Sequence, residues 1–182
     1  MGKSLTAVLL GLKRLSDRVP GDLGEELRLV QETARASLQE VGQVARRLRP
    51  GVLEDLGLLS ALAALATDIS HGGVYVRRRF APGLPGLIPE TELVIYRVAQ
   101  EALTNAARHA GADTVDLSLS KQGDRLALRV ADNGRGLTGR EEGAGIRGMR
   151  ERALLVGGDL TIGPRTGGGT ELRLLVPTRV KQ

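Results

Sequence analysis

The stretch Glu101-Ala-Leu-Thr-Asn105-Ala-Ala-Arg-His109 continues a helical pattern that begins at Pro89. Helical spacing places its polar side chains on one face, namely Glu101, Asn105, Arg108 and His109. The opposite face is apolar and is formed by Val94, Val98, Ala102 and Ala106. The apolar face can pack on a sheet, while the polar face offers oxygens for Mg²⁺ and cations for phosphate. The pattern predicts a binding site for a metal-bound polyphosphate. The alternative is an ordinary amphipathic helix with a solvated polar face.

The composition excludes several classes of function. The chain has 182 residues, of which 41% are apolar and only 2% aromatic, so the core must consist of Leu, Val, Ile and Ala. With so few aromatic rings, platforms that stack nucleic-acid bases are nearly excluded. The absence of cysteine rules out disulfides, thiolate zinc sites and cysteine nucleophiles, and suits a reducing compartment.

The net charge of +5 invites a nucleic-acid interpretation, but the arginines are scattered along the chain. Only Arg77, Arg78 and Arg79 form a run, which we interpret as an exposed strand edge that charge protects from aggregation. We therefore expect no nucleic-acid partner. No apolar stretch approaches the roughly 20 residues that span a bilayer, and no signal peptide precedes the first helix. The sequence thus predicts a soluble segment without membrane contact.

Residues 1–49 carry apolar residues at steps of three and four, interrupted by Pro20-Gly21-Asp22. This spacing predicts two helices in an antiparallel hairpin that packs in coiled-coil fashion. A lone hairpin cannot bury both sides of its apolar stripe, so we expect two chains to form a dimeric four-helix bundle. Packing of the hairpin onto its own chain is the alternative. Arg49-Pro50-Gly51 ends the second helix and marks the boundary to a domain over residues 50–182.

In residues 50–182 a connector over 53–58 precedes a predicted helix at 59–69, a strand at 74–80 and a loop at 81–87. After the central helix, apolar and polar residues alternate over 115–119 and 126–130 around the turn at Gln122-Gly123-Asp124, which predicts an antiparallel hairpin. A helix at 149–156 and strands at 160–162 and 170–176 follow. These blocks predict an α+β fold, with an α/β sandwich after the helical hairpin.

Three glycine-rich segments follow the central helix: Asp132-Asn-Gly-Arg-Gly136, Gly143-Ala-Gly-Ile-Arg-Gly148-Met149 and Gly167-Gly-Gly-Thr170. Alone they are weak signals, and the P-loop pattern is missing. Their order after an Asn-bearing helix resembles the ATP-binding domain shared by histidine kinases, Hsp90, gyrase and MutL (the GHKL or Bergerat fold). The closest resemblance is to sensor histidine kinases of nitrate-sensor and DesK type, with Glu101–Ala110 as the N box and the three segments as the glycine boxes. Residues 2–7 and 48–58 resemble the dimerisation domain of these kinases.

The resemblance implies ATP and Mg²⁺ as cofactors. By it, Asp132 accepts a hydrogen bond from the adenine amino group, and Asn105 binds Mg²⁺. Glu101 orders a metal-bound water or the attacking geometry, and Arg108 and His109 face the phosphates. For His109, a partly buried and hydrogen-bonded structural role is the alternative.

The glycine boxes have roles by the same resemblance. Gly134 and Gly136 let the backbone approach the base and take positive φ. Gly169 and Thr170 lie near the adenine. Gly143, Gly145 and Gly148 form a flexible lid that ends at a helix starting at Met149, whose free N–H groups meet phosphate. Arg147 adds positive charge there, and Ile146 and Met149 belong to the same ATP-binding segment.

The implied reaction transfers the γ-phosphoryl group of ATP to a histidine and then to an aspartate of a response regulator. The family's acceptor His-Asp pair is expected just upstream of residue 1. Lys3 stands where the family often has an amide used in dephosphorylation, so phosphatase activity is in doubt. We interpret His71 as a helix-terminal residue.

Our first hypothesis is therefore the dimerisation and ATP-binding core of a sensor histidine kinase. It would be a homodimer with a response regulator as partner, cytoplasmic or the cytoplasmic part of a membrane-bound kinase. The alternatives are a non-catalytic, ATP-binding dimeric regulator of a kinase and a serine kinase of the anti-sigma type.

Overall fold

The structure, a computed structural model, describes residues 50–136 and 143–178. The chain divides after Arg49 into two units, and the described residues all belong to the second. The predicted helical hairpin and its pairing into a dimer lie outside the described residues. Within the described part, no helix has the length and apolar content needed to cross a membrane.

A five-stranded sheet forms one layer of this unit. Its strands are β1 (Tyr75–Phe80), β2 (Thr114–Gln122), β3 (Arg125–Asp132), β4 (Asp159–Pro164) and β5 (Thr170–Pro177). They lie in the order β1-β2-β3-β5-β4, where β1 runs parallel to β2 and the other neighbours are antiparallel. The predicted hairpin is confirmed as β2 and β3, joined through Gly123 with a φ of 61°. Arg77, Arg78 and Arg79 lie on β1, which is an edge strand as predicted.

Helices form the second layer. They are α1 (Gly51–Asp55), α2 (Gly57–His71), α3 (Pro89–Asn105), which continues into a π-helical turn (Ala106–Ala110), and α4 (Ala144–Leu155). Alternate strand residues bury their side chains beneath these helices, among them Leu117, Leu128 and Leu174. The strand residues between them carry most of the polar side chains, as expected of a sheet with one buried face. The predicted α/β sandwich is confirmed.

Two segments differ from the sequence predictions by more than a residue or two. The connector at 53–58 contains the short helix α1, which buries Leu53. Helix α4 begins at Ala144 rather than at Met149, so Gly145 and Gly148 are helical. Glycine in a helix costs about 1 kcal/mol relative to alanine, and burial of Met149 and Ala153 on the core offsets that cost.

Candidate functional site

A buried carboxylate lies at the carboxyl end of β3. Asp132 is opposite Val115 and therefore faces the helical layer, and its residue exposure is only 7%. Its Oδ1 accepts hydrogen bonds from the backbone N–H of Gly134 at 2.8 Å and of Thr170 at 3.2 Å. Among the described residues Asp132 has no other side-chain hydrogen bond, which leaves Oδ2 for a donor from outside. A buried acceptor of this kind discriminates strongly against a ligand that lacks the matching donor.

Backbone from three segments packs closely around this carboxylate. A Cβ on Gly169 would overlap the carbonyl oxygen of Asp132 and would lie 2.8 Å from its carbonyl carbon, and Gly169 has a φ of +97°. Gly136 has a φ of +75°, as predicted. The predicted positive φ at Gly134 is wrong. Glycine is needed there because a Cβ would lie 2.7 Å from the Cβ of Ala110.

The N-box residues Glu101 and Asn105 lie one turn apart at the end of α3, and both are half-buried. Within the described part of the chain the Asn105 amide forms no hydrogen bond, so its oxygen can serve as a ligand. The Glu101 carboxylate packs against the first turn of α4. A Cβ on Gly145 would overlap Oε1 of Glu101 and lie 3.0 Å from its Cδ. The structure thus joins the first predicted motif to the second glycine box.

Arg108 and His109 lie in the π-helical turn after Asn105, and both are exposed. The α-helical spacing that predicted one shared polar face therefore does not extend to them, because the helical period changes at Ala106. The exposure of His109 speaks against the alternative of a partly buried structural histidine. Turns of π-helix are frequent at functional sites, and nothing in the sequence indicated this one.

The second glycine box forms the start of α4 rather than a loop before it. Gly143 is the N-cap, and its carbonyl accepts the N–H of Arg147 at 3.2 Å. The free amides of the helix therefore begin near Gly143 and not at Met149, which corrects the predicted bound of the lid. Met149 is 1% exposed and belongs to the core, whereas Arg147 is exposed. Residues 137–142 lie outside the described part.

The donor set suits a cation only together with a ligand's own oxygens. Over residues 50–136 and 143–178, no three His, Cys, Asp or Glu side chains cluster as a metal site. Mg²⁺ is commonly held by one or two protein oxygens together with substrate phosphates. The free amide oxygen of Asn105 fits that arrangement.

One structural residue next to Asp132 was missed from the sequence. Asn133 accepts the backbone N–H groups of Asp113 and Thr114, each at 3.0 Å, with its side-chain oxygen. It thereby ties the end of β3 to the loop that follows the π-helical turn. The available signal was the Asp-Asn-Gly order, since Asn side chains commonly accept backbone amides in turns.

Comparison with known proteins gives two family matches. Residues 90–180 match the family described as histidine kinase-, DNA gyrase B- and HSP90-like ATPase. Residues 1–53 match the family described as histidine kinase.

Two curated relatives illustrate the similarity. The signal transduction histidine-protein kinase/phosphatase DegS of Brevibacillus brevis is 30% identical over 188 residues, which cover 98% of this chain and 48% of the relative. The oxygen sensor histidine kinase NreB of Staphylococcus carnosus is 34% identical over 145 residues, which cover 77% of this chain and 42% of the relative. The chain thus spans less than half the length of these two relatives.

Solved structures share the architecture. The histidine kinase domain of the Erythrobacter litoralis EL346 blue-light activated kinase aligns with a TM-score of 0.55 and 25% identity, covering 95% of this chain and 96% of that one. Full-length ShkA, solved in complex with AMPPNP, aligns with a TM-score of 0.56 and 19% identity, covering 98% of this chain and 44% of that one. The second likeness concerns the fold alone.

Proposed function

Since the chain belongs to the histidine kinase-, DNA gyrase B- and HSP90-like ATPase family, with a histidine-kinase match over residues 1–53, we propose that it is the dimerisation and ATP-binding core of a sensor histidine kinase. The observation that carries the proposal is the buried Asp132, whose Oδ1 is occupied by two backbone amides. Its Oδ2 accepts a hydrogen bond from the exocyclic amino group of adenine. Gly136, Gly169 and Thr170 surround that base, and Gly134 packs the first glycine box onto Ala110.

The phosphates lie between the end of α3 and the start of α4. Asn105 would hold Mg²⁺ through its amide oxygen, and the cation would neutralise charge that develops on the transferred phosphoryl group. Gly143, Gly145 and Gly148 lie with Ile146 along the first turns of α4, whose leading N–H groups face the phosphates. Arg108, His109 and Arg147 are exposed cations or hydrogen-bond donors near these two helix ends.

Glu101 aligns the attacking group. Glu101 lies one turn before Asn105, and its carboxylate packs at the start of α4. There it would order a water near the cation or orient the acceptor imidazole. The reaction breaks the bond between the γ-phosphorus and its bridging oxygen and forms a bond to an imidazole nitrogen. Alignment and charge neutralisation supply most of the catalysis in such transfers.

The acceptor is neither of the two histidines in the sequence. His71 is exposed at the end of α2 and precedes two glycines, while His109 belongs to the nucleotide site. A His-Asp pair outside the given sequence supplies the imidazole, two chains pair through residues 1–49, and an aspartate of a response regulator receives the phosphoryl group. The ATP pool for this reaction is cytoplasmic, so we place this segment there.

Nucleotide selectivity tests the assignment of Asp132. In Asp132→Asn the two backbone N–H groups retain an oxygen at the Oδ1 position, which turns the amide NH₂ towards the base. This donor opposes the amino group of adenine but matches the carbonyl of hypoxanthine. We expect the wild type to bind ATP at least about tenfold more tightly than inosine triphosphate, since a hydrogen bond to a charged group contributes about 1.5–3 kcal/mol. Asp132→Asn should lose or reverse that preference. An unchanged preference would exclude the assignment.

A phosphoryl-transfer assay tests the proposed kinase activity and the role of Asn105. The chain is incubated with γ-labelled ATP and Mg²⁺, alone and mixed with a version that extends upstream through the expected His-Asp pair. Acid-labile label on the extended chain alone supports the proposal, and Asn105→Ala should remove it. Label on neither chain despite ATP binding would favour a non-catalytic regulator. Acid-stable label would indicate a serine kinase.

A further inference from the structure

A pocket opens on the sheet face that lies away from the helices. Its volume is about 490 Å³, and it is lined by Tyr75, Arg77, Thr114, Asn133 and Arg165. In β1 and β2 the lining residues alternate with Val76 and Val115, which are buried beneath the helical layer. The pocket is therefore separated from Asp132 by the thickness of the sheet, and the proposed nucleotide site does not use it.

The pocket lining is rich in hydrogen-bond donors and carries no carboxylate. Its lining residues carry two guanidinium groups and two hydroxyl groups. The fifth side chain also presents donors, because Asn133 Oδ1 is occupied by two backbone N–H groups and its NH₂ must point away from them. A donor-rich cavity of this kind suits an anion.

A buried carboxylate beneath the pocket holds both arginines in place. Asp116 is 7% exposed, and its Oδ2 accepts hydrogen bonds from Arg165 at 3.0 Å and from Arg77 at 3.2 Å. Its Oδ1 lies 2.9 Å from Nε of Arg77, but the angle is too poor for a hydrogen bond, so charge alone holds that contact. One carboxylate against two guanidinium groups leaves a net positive charge. Each guanidinium has five N–H donors, so donors remain for a ligand.

We propose that this pocket is a second binding site, which takes a small anion with a carboxylate or phosphate group. Arg77 and Arg165 bind the anionic group, and Asn133 and Thr114 donate to its remaining oxygens. Tyr75, whose exposure is 64%, packs on the body of the ligand. The negative charge of such a ligand balances the positive charge that remains after Asp116 has paired with the two arginines.

The pocket shares the turn between β4 and β5 with the nucleotide site. The backbone N–H of Arg165 donates to the carbonyl of Gly169 at 3.0 Å, and Thr170 next to it donates to Asp132. An anion that immobilises Arg165 therefore also holds this turn against the nucleotide carboxylate. We expect such an anion to raise the affinity for ATP, an effect that rests on the proposed function, whereas anion binding itself does not.

Chemical shifts of the ¹⁵N-labelled full chain test the site. Inorganic phosphate and benzoate are titrated at constant ionic strength. The backbone amides of Tyr75 and Arg77 are followed because both residues line the pocket and β2 separates their strand from β3, which carries Asp132. We expect saturable shifts for both anions. Arg77→Gln and Arg165→Gln should each weaken binding about fivefold or more, as expected for the loss of one charged partner. Arg173→Gln, on the same face but outside the pocket, is the matched control and should stay within about twofold.

Absent or non-saturable shifts, or equal effects of all three substitutions, would overturn the site. Binding of an acidic peptide such as acetylated tetraglutamate without binding of phosphate or benzoate would also overturn it, and would indicate a protein partner instead. ATP affinity with and without benzoate tests the coupling. A rise in the wild type that is absent in Arg165→Gln supports it, whereas no rise despite saturable benzoate binding rejects it. If ATP does not bind at all, the proposed function fails while the anion titration still stands.

Discussion

Gly168 and Gly169 are neighbours in the turn before β5, and alanine substitutions at these two positions form a matched pair. Their φ angles are +101° and +97°, so an added side chain meets the same backbone penalty at both. Their surroundings differ. A Cβ on Gly168 has nothing within 4 Å, whereas one on Gly169 would overlap the carbonyl oxygen of Asp132 and lie 3.0 Å from Cα of Asn133. The pair therefore separates backbone strain from packing around the carboxylate.

The two effects have different magnitudes. A residue held at an unfavourable φ costs about 1–3 kcal/mol, and both variants carry that cost. Overpacking against backbone that must shift adds about 1–3 kcal/mol, and only Gly169→Ala carries it. We therefore expect Gly169→Ala to lower the free energy of unfolding by about 2 kcal/mol more than Gly168→Ala. Displacement of the turn also removes the hydrogen bond from Thr170 to Asp132, so ATP affinity should fall more than about tenfold in Gly169→Ala alone.

Urea unfolding measured by tyrosine fluorescence suits this comparison. The sequence has two tyrosines and no tryptophan, and both Tyr75 and Tyr96 lie in the second unit, so the signal reports on that unit even if the first unfolds separately. ATP affinity is measured in parallel. Equal losses of stability and equal affinities in the two variants would refute the packing of this turn on Asp132.

Four further substitutions, one of them a control, test other parts of the molecule. Gly145→Ala should displace the Glu101 carboxylate and reduce phosphoryl transfer about tenfold with ATP affinity retained. Its control, Gly148→Ala, meets only the flexible end of Arg152 at 3.2 Å, leaves the Glu101 carboxylate in place and should stabilise α4 by up to about 1 kcal/mol. The two variants therefore separate displacement of Glu101 from a change in helix propensity. Leu117→Ala, in the middle of the sheet, should lower the free energy of unfolding by about 2–5 kcal/mol in the same urea assay. Arg129→Ala removes a half-exposed ion pair and should change that free energy by no more than about 1 kcal/mol.

The sheet and its hairpin could be predicted because local pattern and tertiary environment agree there. Leu117 and Leu128 alternate with polar neighbours, and both are buried on one face. Gly123 takes the left-handed conformation that the turn requires. The central helix could be predicted for the same reason, since its apolar face, including Val98 and Ala102, packs in the core. In each case a period of two or 3.6 residues survives in the fold.

The remaining features depend on contacts distant in sequence. The start of α4 is set by burial of Met149, which overrides the low helix propensity of two glycines. The π-helical turn after Asn105 has no recognisable pattern in the local sequence. The ion pairs that Asp116 forms with two arginines have none either. Asp116 pairs with Arg77 and Arg165 across 39 and 49 residues of sequence. Only the assembled sheet brings these charges together.

The glycines around Asp132 have a structural role that does not depend on a ligand. Gly134 packs on Ala110 and Gly169 on the backbone of Asp132, so a side chain at either position meets protein atoms before it could meet a nucleotide. Loss of ATP binding in glycine variants would therefore show only that the carboxylate has moved. Asp132→Asn leaves these backbone contacts in place and changes a single polar group, which is why nucleotide selectivity at this residue tests recognition of the base more directly than any glycine substitution.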